Sequence, residues 1–156
     1  MRNSYFIKFA AAAILVFSYT GCASPPGTMV PPAQFKKYNS KNELKMITAD
    51  GVRLKARKTD NYPEASLEFW TQAALQHLEK SGYNHLETVC FKTQKNLDGC
   101  TLKFALPKGA EDWIFQETIF VTGKKLILIE ATGEFSRFKA IDKDLDKALL
   151  TFVPDR

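Results

Sequence analysis

Glu130 stands inside the apolar run LILIEAT, and a two-residue Gly123-Lys124 turn of type II′ would set Glu117 directly opposite it. Two facing carboxylates repel unless one is protonated or a cation bridges them. A coupled pair of this kind suits general acid–base work, so Glu117 and Glu130 are the candidate catalytic residues if the chain is an enzyme. The competing reading is structural: a three-residue turn would bring Gln116 opposite Glu130, or Arg137 or Lys139 would reach back to pair it. A structural role of one of these two kinds is the expectation. A second candidate is the row Arg53, Lys55 and Arg57, which alternates with Val52, Leu54 and Ala56 and so presents one basic face. Such a row suits recognition of a partner surface rather than catalysis.

Cys22 raises a different question. Before it lie a basic start with Arg2 and Lys8, the apolar core FAAAAILVF (residues 9–17) and the exit SYTG. This is the arrangement of an export signal over residues 1–21. Nine apolar residues rise only about 14 Å as a helix, against roughly 30 Å of hydrocarbon, so the segment is too short to span a membrane. Thr20, Gly21 and Cys22 resemble the bacterial lipoprotein signal, a Leu-Ala/Ser-Gly-Cys box, with Tyr19 standing where leucine is usual. The resemblance implies cleavage before Cys22 and acylation of its sulfur and new amino group, palmitate being a typical chain. It also implies an outer-membrane anchor facing the periplasm, because Ala23 rather than aspartate follows the cysteine. Gly21-Cys22-Ala23 is also a small-x-small site, and cleavage after Ala23 would release a soluble periplasmic protein.

In an exported chain, the two remaining cysteines, Cys90 and Cys100, suggest a disulfide. Closing a loop of that length stabilises a domain by about 3 kcal/mol in the loop-entropy account. A tight Asp98-Gly99 hairpin would pair Leu97 with Cys100 and place Cys90 opposite Pro107. The bridge therefore requires a wider loop over QKNLDG, and two unreactive thiols are the alternative. Neither His77 nor His85 has zinc-ligand spacing to the cysteines, so no metal is expected. No Ser–His–Asp grouping is visible. The glycines at 51, 82, 99, 109, 123 and 133 fall at turns or element ends, so no phosphate loop, nucleotide or other cofactor is expected.

The 156 residues carry 22 basic and 17 acidic side chains and are 45% apolar, enough for one real core. Without Arg2 and Lys8 the balance is 20 basic against 17 acidic, about +3. That mild excess suits an anionic surface, whereas nucleic acid would call for a dense basic stripe. SPPGTMVPPAQFKKYNSKN (24–42) has two proline pairs and no apolar period. It reads as part of a 22–42 tether holding a single domain, 43–153, up to roughly 50–60 Å from a bilayer.

Within that domain ELKMIT and VRLKARK form two strands about Asp50-Gly51, and PEASLEFWTQAALQHLEKSG forms a helix. Its stripe is Leu67, Trp70, Ala74 and Leu78, widened by Phe69, with Pro63 in the first turn. Strands follow at 85–93, 100–107, 112–121 and 125–132. A final helix over 141–152 carries Asp142 and Asp144 in its first turn. The order β-β-α-β-β-β-β-α predicts an α+β domain, an antiparallel sheet of about six strands flanked by helices, its last two strands central. This order resembles the PsbP-like fold, which includes photosystem extrinsic subunits and bacterial lipoproteins. That resemblance implies an accessory or assembly protein with no shared catalytic set. The expected function is thus a membrane-anchored envelope lipoprotein that binds a ligand or protein partner. An enzyme acting on envelope glycan or lipid through Glu117 and Glu130 is the alternative.

Overall fold

The period-two alternation about Leu54 requires a sheet with one face dry and one wet. The computed structural model describes residues 25–38, 44–109 and 111–155. The signal segment 1–21 and Cys22 lie outside them. The elements in order are β1 (Gly27–Thr28), β2 (Lys36–Lys37), β3 (Met46–Ile47), β4 (Arg53–Asp60), α1 (Leu67–Lys80), β5 (Asn84–Lys92), β6 (Asp98–Lys108), β7 (Glu111–Thr122), β8 (Lys125–Glu134), α2 (Phe135–Leu149) and β9 (Val153–Pro154).

Seven strands form one antiparallel sheet in the order β2-β3-β4-β8-β7-β6-β5, and β1 pairs with β9 in a separate two-stranded ladder. The domain is α+β as the pattern predicts, with one strand more in the main sheet than the six expected. Helix α1 packs over β5, β6 and β7 on one face, and α2 over β7 and β8 on the other. Each face has its own core. Leu102, Phe104, Ile119, Leu126 and Leu128 meet the α1 stripe of Leu67, Trp70, Ala74 and Leu78. Leu54, Ile127, Ile129 and Phe120 meet Phe138, Ile141, Leu145 and Leu149 of α2.

Local chemistry sets the registers. Gly123, at φ +57°, takes the left-handed position of a two-residue turn, so Thr122 pairs with Lys125 and Glu117 lies opposite Glu130. The β5–β6 connection is the wide loop: Thr93 N–H binds the Leu97 carbonyl, and Leu97 N–H binds Thr93 Oγ1. Cys90 then faces Cys100, and the two form a disulfide.

Three expectations change. Residues 25–38 are not a free tether: Met29 and Phe35 are buried in the α2-side core, and β1 and β2 pair with β9 and β3. Two apolar side chains and two short ladders hold the proline-rich stretch against the domain, whose boundary moves N-terminal of 43. Helix α2 begins at Phe135, because the Glu134 carboxylate accepts from the Ser136 and Arg137 N–H groups and Phe138 extends the buried stripe. Asp142 and Asp144 therefore sit mid-helix. Helix α1 begins at Leu67 behind the Ser66 N-cap, which leaves Pro63 outside it and turns Phe69 outward, 52% exposed.

If residues 25–38 belong to the folded unit, Phe35→Ala destabilises the domain by about 3–5 kcal/mol in urea unfolding, the cost of emptying a buried phenylalanine site. A loss below about 1 kcal/mol would return the segment to the role of a tether.

Candidate functional site

Helix α1 lies mainly over β5–β7 and meets β8 through Leu126 and Leu128, which leaves space toward β4 on that face. The space becomes a groove of about 540 Å³, with Trp70, Ala73 and His77 of α1 on one wall, Arg57 and Thr59 of β4 on the other. Leu126, Leu128 and Ile119 form its apolar floor. A second hollow of about 310 Å³ shares Phe115 with it and is lined by Arg53, Tyr83 and Trp113. The small side chains of Ala73 and Ala74 keep the α1 wall open.

Asn61 fixes the mouth. Its Oδ1 accepts from Trp70 Nε1–H (2.6 Å) and Ala65 N–H (3.1 Å), and its Nδ2 donates to the Ala65 and Gly123 carbonyls. One buried amide thus ties the entry of α1 to the β7–β8 turn and sets the indole in the wall. Asn61 and Trp70 were not legible as site residues. An Asn just before a Tyr-Pro pair and a helix is the available signal, though it reads equally as an ordinary turn.

Glu117 and Glu130 do come together in the groove, and β4 supplies their counter-charges. Lys55, directly opposite Glu130 across the β4–β8 ladder, places Nζ 2.8 Å from its Oε2. Arg57 Nε donates to Glu130 Oε1 at 2.9 Å, and Arg57 Nη2 lies 3.7 Å from Glu117 Oε1. Arg137 and Lys139, the cations expected for Glu130, are engaged elsewhere. Arg137 binds Glu134 and the Asp50 carbonyl, and Lys139 lies over the Phe135 ring. The basic row is therefore not bare: Lys55 and Arg57 neutralise carboxylates, while the Arg53 guanidinium has no ion-pair partner among the described residues. The Glu117 side chain is 9% exposed. Burial first, then the Glu130 charge, pushes its carboxyl above the ordinary glutamate value, against the opposing pull of Arg57 and Lys55.

On the other face, the corner that α2 leaves open holds Lys103. Its Nζ lies 2.7 Å from Asp142 Oδ1, 3.1 Å from Glu87 Oε1 and 3.7 Å from Asp146 Oδ2. Burial works against the Lys103 charge, but hydrogen bonds to Asp142 and Glu87 and the Asp146 and Asp142 charges outweigh it and hold the ammonium above its ordinary value. This ion network lines a smaller hollow of about 230 Å³ together with Val89, Leu149 and Leu150.

His77 stands on the groove wall. His85 instead bonds Thr88 through Nε2 (2.9 Å) and packs on Phe104. Among the described residues no three His, Cys, Asp or Glu side chains converge as a metal site.

No protein-family profile and no curated protein sequence matches the chain. Solved structures share its fold. The Pseudomonas aeruginosa protein PA94, of unknown function, is 10% identical over 83% of this chain and 85% of its own, with a TM-score of 0.60. Cyanobacterial PsbP from Synechocystis is 8% identical over 94% of this chain and 98% of its own, with a TM-score of 0.56. At those identities the likeness is one of fold, and it supports the PsbP-like architecture.

Glu117 yields a pH test. A carboxyl that binds its proton more tightly when folded makes stability fall as pH rises from the ordinary glutamate value through the raised one. Glu117→Gln removes that slope. We expect the variant to melt roughly 3 °C above the parent at pH 7 and level with it at pH 4. A lower melting temperature at pH 7 would mean that the ionised carboxylate is a net stabiliser.

Proposed function

We propose that this chain is a cell-envelope lipoprotein, anchored through acylated Cys22 to the periplasmic face of the outer membrane, that works by non-catalytic binding. The groove between α1 and β4 is its recognition surface. One observation supports this above the others: the groove is open and apolar-floored, yet both its carboxylates already have cationic partners on β4. A ligand or partner segment can enter without supplying counter-charge, while Arg53, in the adjoining hollow that shares Phe115, is left to pair with it. The fold shared with cyanobacterial PsbP supports an accessory or assembly role on the strength of the family resemblance.

The enzymatic alternative draws on a specific observation too. Glu117 holds its proton above the ordinary range beside ionisable Glu130 in an accessible groove, as an acid–base pair would. Against it, Glu130 is clamped by two cations.

Two variants test the binding role. Because Arg53 is exposed and has no ion-pair partner among the described residues, Arg53→Glu leaves the fold intact and, on this reading, lowers crosslinked partner in intact cells at least about tenfold, the effect of reversing an interface charge. An unchanged yield removes Arg53 from the surface. Cys22→Ala shifts the protein from the detergent phase to the aqueous phase; unchanged partitioning would end the anchor reading. Hydrolysis of an envelope glycan or lipid that is lost in both Glu117→Gln and Glu130→Gln would favour the enzyme instead.

A further inference from the structure

The packing of residues 25–38 changes how an anchored chain meets its membrane. The Asp155 N–H donates to the Pro26 carbonyl, Thr28 pairs with Val153, and the Val30 N–H donates to Thr151 Oγ1 at 2.9 Å. Gly27 permits this approach: a Cβ there would collide with the Val153 carbonyl and the Phe152 ring. Pro26 is thus tied beside the end of the ladder, four residues from Cys22. Four residues reach about 14 Å at full extension, a fraction of what a 22–42 tether would allow.

The surface around that exit is apolar. Val30 is 63% exposed, Leu150 38% and Val153 37%. Thr28 and Val153 are directly opposite and share a face, and exposed Val30 follows two residues beyond Thr28, past buried Met29. Leu150 caps α2, and its carbonyl accepts from Gln94 N–H at 2.7 Å, which brings the β5–β6 loop alongside. Exposed Lys95 follows Gln94, and Lys147 lies one turn before Leu150. Asp155 is on this rim and Asp144 lies 3.6 Å from Lys147 Nζ, so charge alone does not define the patch.

We propose that the β1–β9 ladder is a membrane-docking surface. Val30, Leu150 and Val153 seat the domain on the phospholipid bilayer that holds the acyl chains of Cys22, with Lys95 and Lys147 at the headgroups. The proposal rests on the anchor reading above. The short covalent reach selects the bilayer as occupant, because acyl chains in the membrane bring this patch, and no other named here, to the lipid surface. Three part-exposed aliphatic side chains are too few to hold a protein on lipid without an acyl chain, so the patch orients and does not anchor. The domain then works against the membrane instead of 50–60 Å above it.

Hydroxyl-radical footprinting of the full chain tests this. The acylated protein from a lipoprotein-processing host is placed in phosphatidylethanolamine–phosphatidylglycerol vesicles and compared with soluble Cys22→Ser protein. Val30, Leu150 and Val153 are expected to oxidise at least about threefold more slowly on vesicles, while Tyr62 and Trp70 in the groove are unchanged. A Val30→Asp, Leu150→Asp variant, altered only at exposed positions, should still float with vesicles but lose the protection at Val153. Equal oxidation of the two forms, with the acylated chain co-floating, overturns docking and leaves the anchor standing. Failure to float overturns both. Protection that grows with concentration in the Cys22→Ser protein assigns the patch to a second copy and overturns the lipid assignment.

Discussion

Width is the constraint on which this molecule depends. Seven strands at about 4.8 Å spacing span roughly 29 Å between edge strands, whereas a helix with its side chains is about 10–12 Å across. One helix per face cannot cover such a sheet. Helix α1 takes β5–β7 and α2 takes β7–β8, so two diagonally opposite corners are left without a helix. The central strands β7 and β8 are apolar on both faces because both faces have a core to feed.

Charge lines the two open corners in different ways. On the α2 side one lysine, Lys103, gathers three carboxylates and leaves a smaller hollow of about 230 Å³. On the α1 side two cations balance two carboxylates at the side of an open groove with an apolar floor. The difference matters for function. A groove already neutral within itself can receive a ligand without stripping an unpaired charge of water, a cost that a bare buried carboxylate would impose on any occupant. The indole of Trp70, held by Asn61, gives that groove a rigid wall.

Short-range features were legible in the sequence, and long-range ones were not. The Gly123-Lys124 turn determines the β7–β8 register locally, so the facing of Glu117 and Glu130 follows from turn chemistry alone. Likewise the requirement that Cys90 face Cys100 demanded the wide loop that is present. The partners of Glu130 were not legible, because Lys55 and Arg57 reach it through the β4–β8 ladder, a pairing of strands about 70 residues apart that no local pattern announces. Sequence proximity offers only Arg137 and Lys139, which bind Glu134 and the Phe135 ring instead. Two proline pairs concealed the burial of Met29 and Phe35, since the core that receives them is built from α2 and the β4 side of the sheet, far along the chain. The early start of α2 was hidden because its cap is a glutamate at the end of a strand, Glu134, and not one of the usual short polar residues.

The central claim is that the corner α1 leaves uncovered is where this protein meets its partner. Site-specific photocrosslinking in intact cells tests it most directly, with a benzophenone side chain placed at Thr59 on the groove wall and, separately, at Lys143 on the outer face of α2. The account predicts a discrete adduct from Thr59 and none from Lys143. Adducts from Lys143 alone, or equal adducts from both positions, would contradict it.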